Sequence, residues 1–82
     1  MAGIEDKTDM KKQLPGIRKR INSIIDRKEM HTEAIEMILD KLLVYAVAGI
    51  GDKEFQKLNA YYASIAPGNA AIYESNYRQQ KI

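Results

Sequence analysis

The stretch IRKRINSIIDRKEMHTEAIEMILDKLLVYAVA, Ile17–Ala48, decides how this chain of 82 residues folds. Ile17, Ile21, Ile24 and Ile25 recur at the i, i+4, i+7 spacing of one helical face. Ile35, Ile38, Leu39, Leu42, Tyr45 and Ala46 form a second set. Ile21 and Ile35 stand 14 residues apart, as do Ile24 and Ile38, so the second set keeps the phase of the first. No glycine or proline interrupts the stretch. It therefore predicts either one long helix over 17–48 or two helices in phase. Lys28, His31 and Thr32 put polar groups on the apolar seam, and His31 or Thr32 suits the cap of a second helix. That interruption favours two helices, or one bent one.

Outward from this core the punctuation is clearer. Downstream, AGIGD (Ala48–Asp52) ends the element, because Gly49 or Gly51 can take positive φ as a C-cap and Asp52 can cap the next helix. Phe55, Leu58, Tyr62 and Ile65 then predict a helix over roughly 53–66. APGN (Ala66–Asn69) stops it, with Asn69 as an N-cap, and 70–80 reads as a last helix presenting Ile72, Tyr73 and Tyr77. Upstream, LPG (Leu14–Gly16) marks a start, since Pro15 suits the first helical position, where its missing N–H is not needed. Residues 1–13 are polar apart from Ile4 and Met10 and read as flexible or as a short helical turn. No segment alternates with the period of a strand. The expected fold is all-α: a single domain over 1–82, built as a small helical bundle or hairpin of three to four helices.

Composition narrows the function classes. The chain has no cysteine, hence no disulfide frame and no thiolate nucleophile, which suits a reducing, cytoplasmic setting. The longest uncharged apolar run, Leu42–Gly51, is far shorter than the roughly 20 residues that cross a bilayer, so no membrane insertion is expected. The N-terminus, MAGIEDKTDMKK, lacks the apolar core of a secretory signal. Net charge is only +2, but it is segregated. Residues 7–28 hold eight cations against two carboxylates, and residues 29–54 hold six carboxylates against two lysines. Such separation points to complementary surfaces, within one molecule or between two.

Several side-chain groups are candidate sites. Arg18, Lys19 and Arg20 come just after the expected helix start at Pro15, where the macrodipole disfavours cations unless an anion sits among them. With Arg27 and Lys28 they form the candidate anion- or partner-binding set. Glu29, Glu33, Glu36 and Asp40 fall at i, i+4, i+7 and i+11, an acidic stripe opposite Ile35, Ile38 and Leu42 that suits docking of basic residues. Tyr61, Tyr73 and Tyr77 are candidate interface aromatics, while Tyr62 falls on the core face of its helix and Tyr61 points away from it. His31 is the lone histidine, and its helical neighbours Arg27 and Ile35 are not ligands; no metal or cofactor is expected. Without a triad or a raised-pKa carboxylate in a cleft, catalysis has no support in the sequence.

The turn after the long stretch carries one resemblance. Gly49, Ile50, Gly51, Lys53 and Leu58, flanked by helices, resemble the turn of helix-hairpin-helix DNA-binding modules. The resemblance implies that backbone N–H groups around Gly49 and Gly51, with Lys53, meet a phosphate. It covers about a quarter of the chain and departs from the pattern in two ways. Phe55 stands where a small alanine lets the helices approach, and Asp52 and Glu54 place negative charge beside the turn.

The sequence thus predicts a small non-enzymatic helical binding protein that self-associates and acts as an adaptor, inhibitor or regulatory subunit on a protein partner. The alternative is a DNA-binding module that contacts the phosphate backbone through 49–53 and the basic cluster 18–20. A third possibility is an oligomer that captures a small phosphorylated ligand.

Overall fold

A computed structural model of the chain describes residues 7–80. It contains four helices: α1 (Lys7–Asp26), α2 (Thr32–Val47), α3 (Asp52–Ala63) and α4 (Pro67–Gln80). Among the described residues there is no strand, so the fold is all-α. The α2, α3 and α4 helices pack in all three pairings, and α1 lies against α3. Ile21, Ile24, Ile35, Leu39, Leu42, Tyr45, Phe55, Leu58 and Tyr62 are fully enclosed between them.

The long stretch is two helices rather than one. The first ends in a Schellman motif: the Glu29 N–H donates to the Ile24 carbonyl at 3.0 Å and the Lys28 N–H to the Ile25 carbonyl at 3.1 Å. Lys28 occupies the left-handed position of that motif, with φ of 54°, where glycine is the usual occupant. The break therefore leaves no glycine or proline to mark it. His31 does stand at the N-cap of α2, but only its carbonyl acts, accepting from the Ile35 N–H; its side chain makes no capping bond. The same motif ends α2, where the Ile50 N–H donates to the Tyr45 carbonyl and the Gly49 N–H to the Ala46 carbonyl. Gly49 there has φ of 75°.

Three sequence expectations about helix starts are corrected. The α1 helix begins at Lys7, so 7–13 form its opening turns and Pro15 lies inside it; residues 1–6 fall outside the described residues. The reason is packing. Met10, Leu14, Ile17, Ile21 and Ile24 make one apolar row that continues upstream through Pro15, with Met10 buried. Fully burying one such side chain contributes about 1.5–3 kcal/mol, so buried Met10 with partly buried Leu14 offsets much of the roughly 3 kcal/mol cost of a mid-helix proline. Gly51, at φ of 82°, takes the N-cap of α3, and Asp52 is the first helical residue rather than the cap. The α4 helix opens on Pro67 with the Ala66 carbonyl accepting from Ala70, which leaves Asn69 in the first turn rather than at the cap.

Two glycine-related substitutions test these ends. Lys28→Gly should stabilise the chain by about 1 kcal/mol, since it relieves a left-handed residue. Gly51→Ala should destabilise by more than the roughly 1–2 kcal/mol of the φ alone, because its Cβ would stand 3.0 Å from Leu42 Cδ2 and 3.5 Å from Leu14 Cδ1. Gly49→Ala, which meets nothing within 4 Å, should cost only the backbone share. Urea unfolding midpoints give the order: Lys28→Gly highest, then the parent, Gly49→Ala, and Gly51→Ala lowest.

Candidate functional site

The sequence-predicted groups are sorted by tyrosine. All five tyrosines of the chain hand their hydroxyl to an acceptor on another element. Tyr45 on α2 donates to Gln13 on α1 at 2.9 Å, and Tyr61 on α3 to the Glu29 carbonyl at 2.7 Å. Tyr62 on α3 donates to the Glu36 carboxylate, Tyr73 on α4 to Asp40 at 2.7 Å, and Tyr77 on α4 to Asp52 at 2.9 Å. The rings pack as well. Tyr77 stacks on Phe55 with centroids 4.5 Å apart, and Tyr62 meets Tyr73 edge-on at 6.4 Å.

The acidic stripe is consequently divided. Glu29 lies in the α1–α2 loop, where its carboxylate takes Arg20 at 3.5 Å. Glu36 and Asp40 sit at the seams with α3 and α4 and accept tyrosine hydroxyls, rather than standing opposite the packed face. Asn69 also reaches Glu36 and the Tyr62 hydroxyl, at 3.4 and 3.3 Å. Glu33 alone is exposed with no such bond. Tyr61, Tyr73 and Tyr77, read as interface aromatics, are held within the bundle. Tyr61 is half-buried rather than pointing away.

The basic cluster also divides. Because α1 starts eleven residues before Arg18, no helix N-terminus gathers Arg18, Lys19 and Arg20, and the dipole argument for an anion there falls. Arg18 instead crosses to Glu54 on α3 at 2.8 Å, Arg20 turns to Glu29, and Lys19, Arg27 and Lys28 are exposed. The Arg18 contact has a second effect: it joins α1 to the Gly49–Lys53 turn. Arg18, Lys53 and Lys57 rim a dent of about 130 Å³ with Ile21, Asn22 and Glu54, and Lys57 donates to Asn22 at 2.7 Å. Phe55, the departure from the helix-hairpin-helix pattern, is explained by its stacking on Tyr77. His31 is exposed, and among the described residues no three His, Asp or Glu side chains converge on one point.

Two features went unread in the sequence. Met37, Val44, Val47 and Ile72 are 57–72% exposed, although Met37 and Val44 keep the i, i+7 spacing that marked other rows as buried. Asn59 is buried, donating to the Ala70 carbonyl at 3.0 Å while its Oδ1 has no partner. Its place on the Phe55–Leu58–Tyr62 helix gave no signal that a polar residue would face α4.

Compared with known proteins, the chain matches no family model, no curated protein and no solved structure.

Burial first, and then the hydrogen bond to Glu36, raises the Tyr62 pKa; burial first, and then the bond to Asp40, raises that of Tyr73. Both protons are thus held more tightly in the folded chain than in the unfolded one, where tyrosine titrates near 10.0. Their contribution to stability is complete below that pH and declines as pH rises beyond it. In an alkaline titration, part of the tyrosinate absorbance should appear only together with loss of helical circular dichroism. Ionisation of every tyrosine near pH 10 with the helices intact would contradict this account.

Proposed function

We propose that this is a non-enzymatic helical binding protein that acts as an adaptor, inhibitor or regulatory subunit on a protein partner. The observation that carries this reading is the row of exposed apolar side chains Met37, Val44 and Val47 on α2, with Ile72 on α4. Single exposed apolar residues are ordinary, but several on one helix face among charges mark an interaction surface. The carboxylates at the seams are engaged by tyrosine hydroxyls, which suits architecture better than acid–base chemistry. A cysteine-free chain fits work in the cytoplasm. Among the described residues, no helix is long and apolar enough to cross a membrane.

Self-association is the companion proposal. Lys7, Lys11, Lys12 and Lys19 are exposed along α1, and Glu33 and Asp40 are exposed on α2, so copies have complementary charge for head-to-tail contact. Molar mass in solution should then rise with concentration at low salt. A concentration-independent monomer there removes self-association and leaves the partner reading standing.

A second reading rests on the Arg18–Glu54 contact, which brings the basic cluster and the Gly49–Lys53 turn together. Glu54 is paired and its side chain is only 11% exposed, and Asp52 accepts the Tyr77 hydroxyl. The Glu54 carboxylate that opposed a phosphate at the turn is thereby paired with a cation, while Lys53 stays exposed. This supports contact with a nucleic-acid backbone or, in the Arg18–Lys53–Lys57 dent, with a small phosphorylated ligand. Duplex DNA should then bind with a log–log salt slope that falls by about one on Lys53→Gln. No affinity at low ionic strength would dismiss the DNA module, and inorganic phosphate that leaves Lys53 and Lys57 resonances unmoved would dismiss the small ligand.

For the lead reading, the decisive comparison is affinity capture from the native host with the parent chain and with Met37→Gln/Val44→Gln. A protein retained by the parent and lost from the variant supports it. Identical retained proteins on both would overturn it.

A further inference from the structure

The α2 face does more than expose apolar groups: it orders them against charge. At 100° per residue, Glu33, Glu36, Met37, Asp40, Val44 and Val47 all fall within one stripe about 100° wide. Along the axis Glu33, Glu36 and Asp40 occupy its N-terminal half with Met37 among them, and Val44 and Val47 occupy its C-terminal half. Ile72 joins from α4, where it borders a dent of about 320 Å³ shared with Glu36, Asp40 and Tyr73. The stripe runs 15 residues, from Glu33 to Val47, about 21 Å at 1.5 Å per residue, or four turns of a helix laid beside it. Among the described residues no lysine or arginine pairs with Glu33, Glu36 or Asp40. Those carboxylates accept at most neutral hydroxyls and an amide, so their charge is uncompensated.

We infer that the α2–α4 face is the docking surface for an amphipathic helix of a partner protein that carries lysine or arginine beside its apolar stripe. This deepens the partner reading above and rests on it. Charge and apolar cover required together select this occupant over a second copy. A two-fold pairing of this face with itself would bring three carboxylates and one lysine, Lys41, against the same set. The cationic α1 of another copy answers the carboxylates but has no large exposed apolar side chain with which to cover Met37, Val44 and Val47. A basic amphipathic helix satisfies both kinds of group: its cations meet Glu33, Glu36 and Asp40, and its apolar residues cover Met37 and Ile72 beside them and Val44 and Val47 beyond. The apolar contacts supply affinity and the carboxylates supply orientation and partner choice.

The test uses the full chain, isotope-labelled, and two synthetic helical peptides of four turns, one of leucine and lysine and one of leucine and glutamate. The leucine–lysine peptide should shift resonances of Met37, Val44, Val47 and Ile72, and the leucine–glutamate peptide should not. Val44→Gln should weaken binding roughly tenfold. Glu33→Lys should weaken the basic peptide and improve the acidic one; both sites are exposed, so the fold survives either change. Equal binding of the two peptides, or indifference to Glu33→Lys, would leave only general greasiness and overturn the assignment. So would sedimentation of the peptide-free chain as a dimer whose dilution shifts the same resonances, because a second copy would then be the occupant. Failure with both peptides while host capture still depends on Met37 and Val44 would remove this partner chemistry and keep the partner reading.

Discussion

The bundle depends on where its tyrosine hydroxyls go. A buried ring contributes apolar area, but its hydroxyl must find an acceptor or cost about 1–3 kcal/mol. Here every hydroxyl finds that acceptor on a different element, so each tyrosine fixes two elements at once. Tyr45 ties α1 to α2, Tyr62 ties α3 to α2, Tyr73 ties α4 to α2, and Tyr77 ties α4 to α3. Tyr61 holds the loop that separates the first two helices.

That arrangement gives the acidic residues two roles. Glu36, Asp40 and Asp52 serve as internal acceptors, yet the first two keep their charge at the edge of an exposed face. Glu29 lends its carbonyl to Tyr61 and its carboxylate to Arg20. Surface ion pairs such as Arg20–Glu29 are worth little by themselves, with a median near 0–1 kcal/mol. The exposed α2 face is therefore defined by what the interior leaves over: carboxylates held at the seam and apolar side chains that none of the four described helices covers.

Helix content and the core rows were legible in the sequence, since Ile21, Ile24, Ile35, Leu39, Leu42, Phe55 and Leu58 all repeat at helical spacing and all are enclosed. The AGIGD stop was legible for the same local reason, its glycines taking positive φ. Pro15 misled because a local rule met a longer apolar row reaching back to Met10. The Glu29–Asp40 stripe was legible as a face of α2 but not in its neighbours: Glu29 falls in the loop, and Glu36 and Asp40 meet tyrosine hydroxyls. Tyr61, Tyr73 and Tyr77 read as interface aromatics, but their acceptors lie within the chain, 25–33 residues away and beyond any periodic signal. The exposed row of Met37 and Val44 has the spacing of a core face, and only the packed bundle reveals that nothing in it covers that face.

The stop at Lys28 has a consequence for what the central segment encodes. Its two apolar rows are in phase, its break has no glycine, and the residue in the left-handed position works against the turn by about 1–2 kcal/mol. The apolar phase alone would let the window from Ile17 to Ala48 run on; the Schellman bonds at Lys28 and Glu29 and the Tyr61 hydroxyl on the Glu29 carbonyl hold the break. Secondary structure at this point is thus a property of the assembled molecule. The same 32 letters carry the spacing of one rod and form two limbs of the bundle.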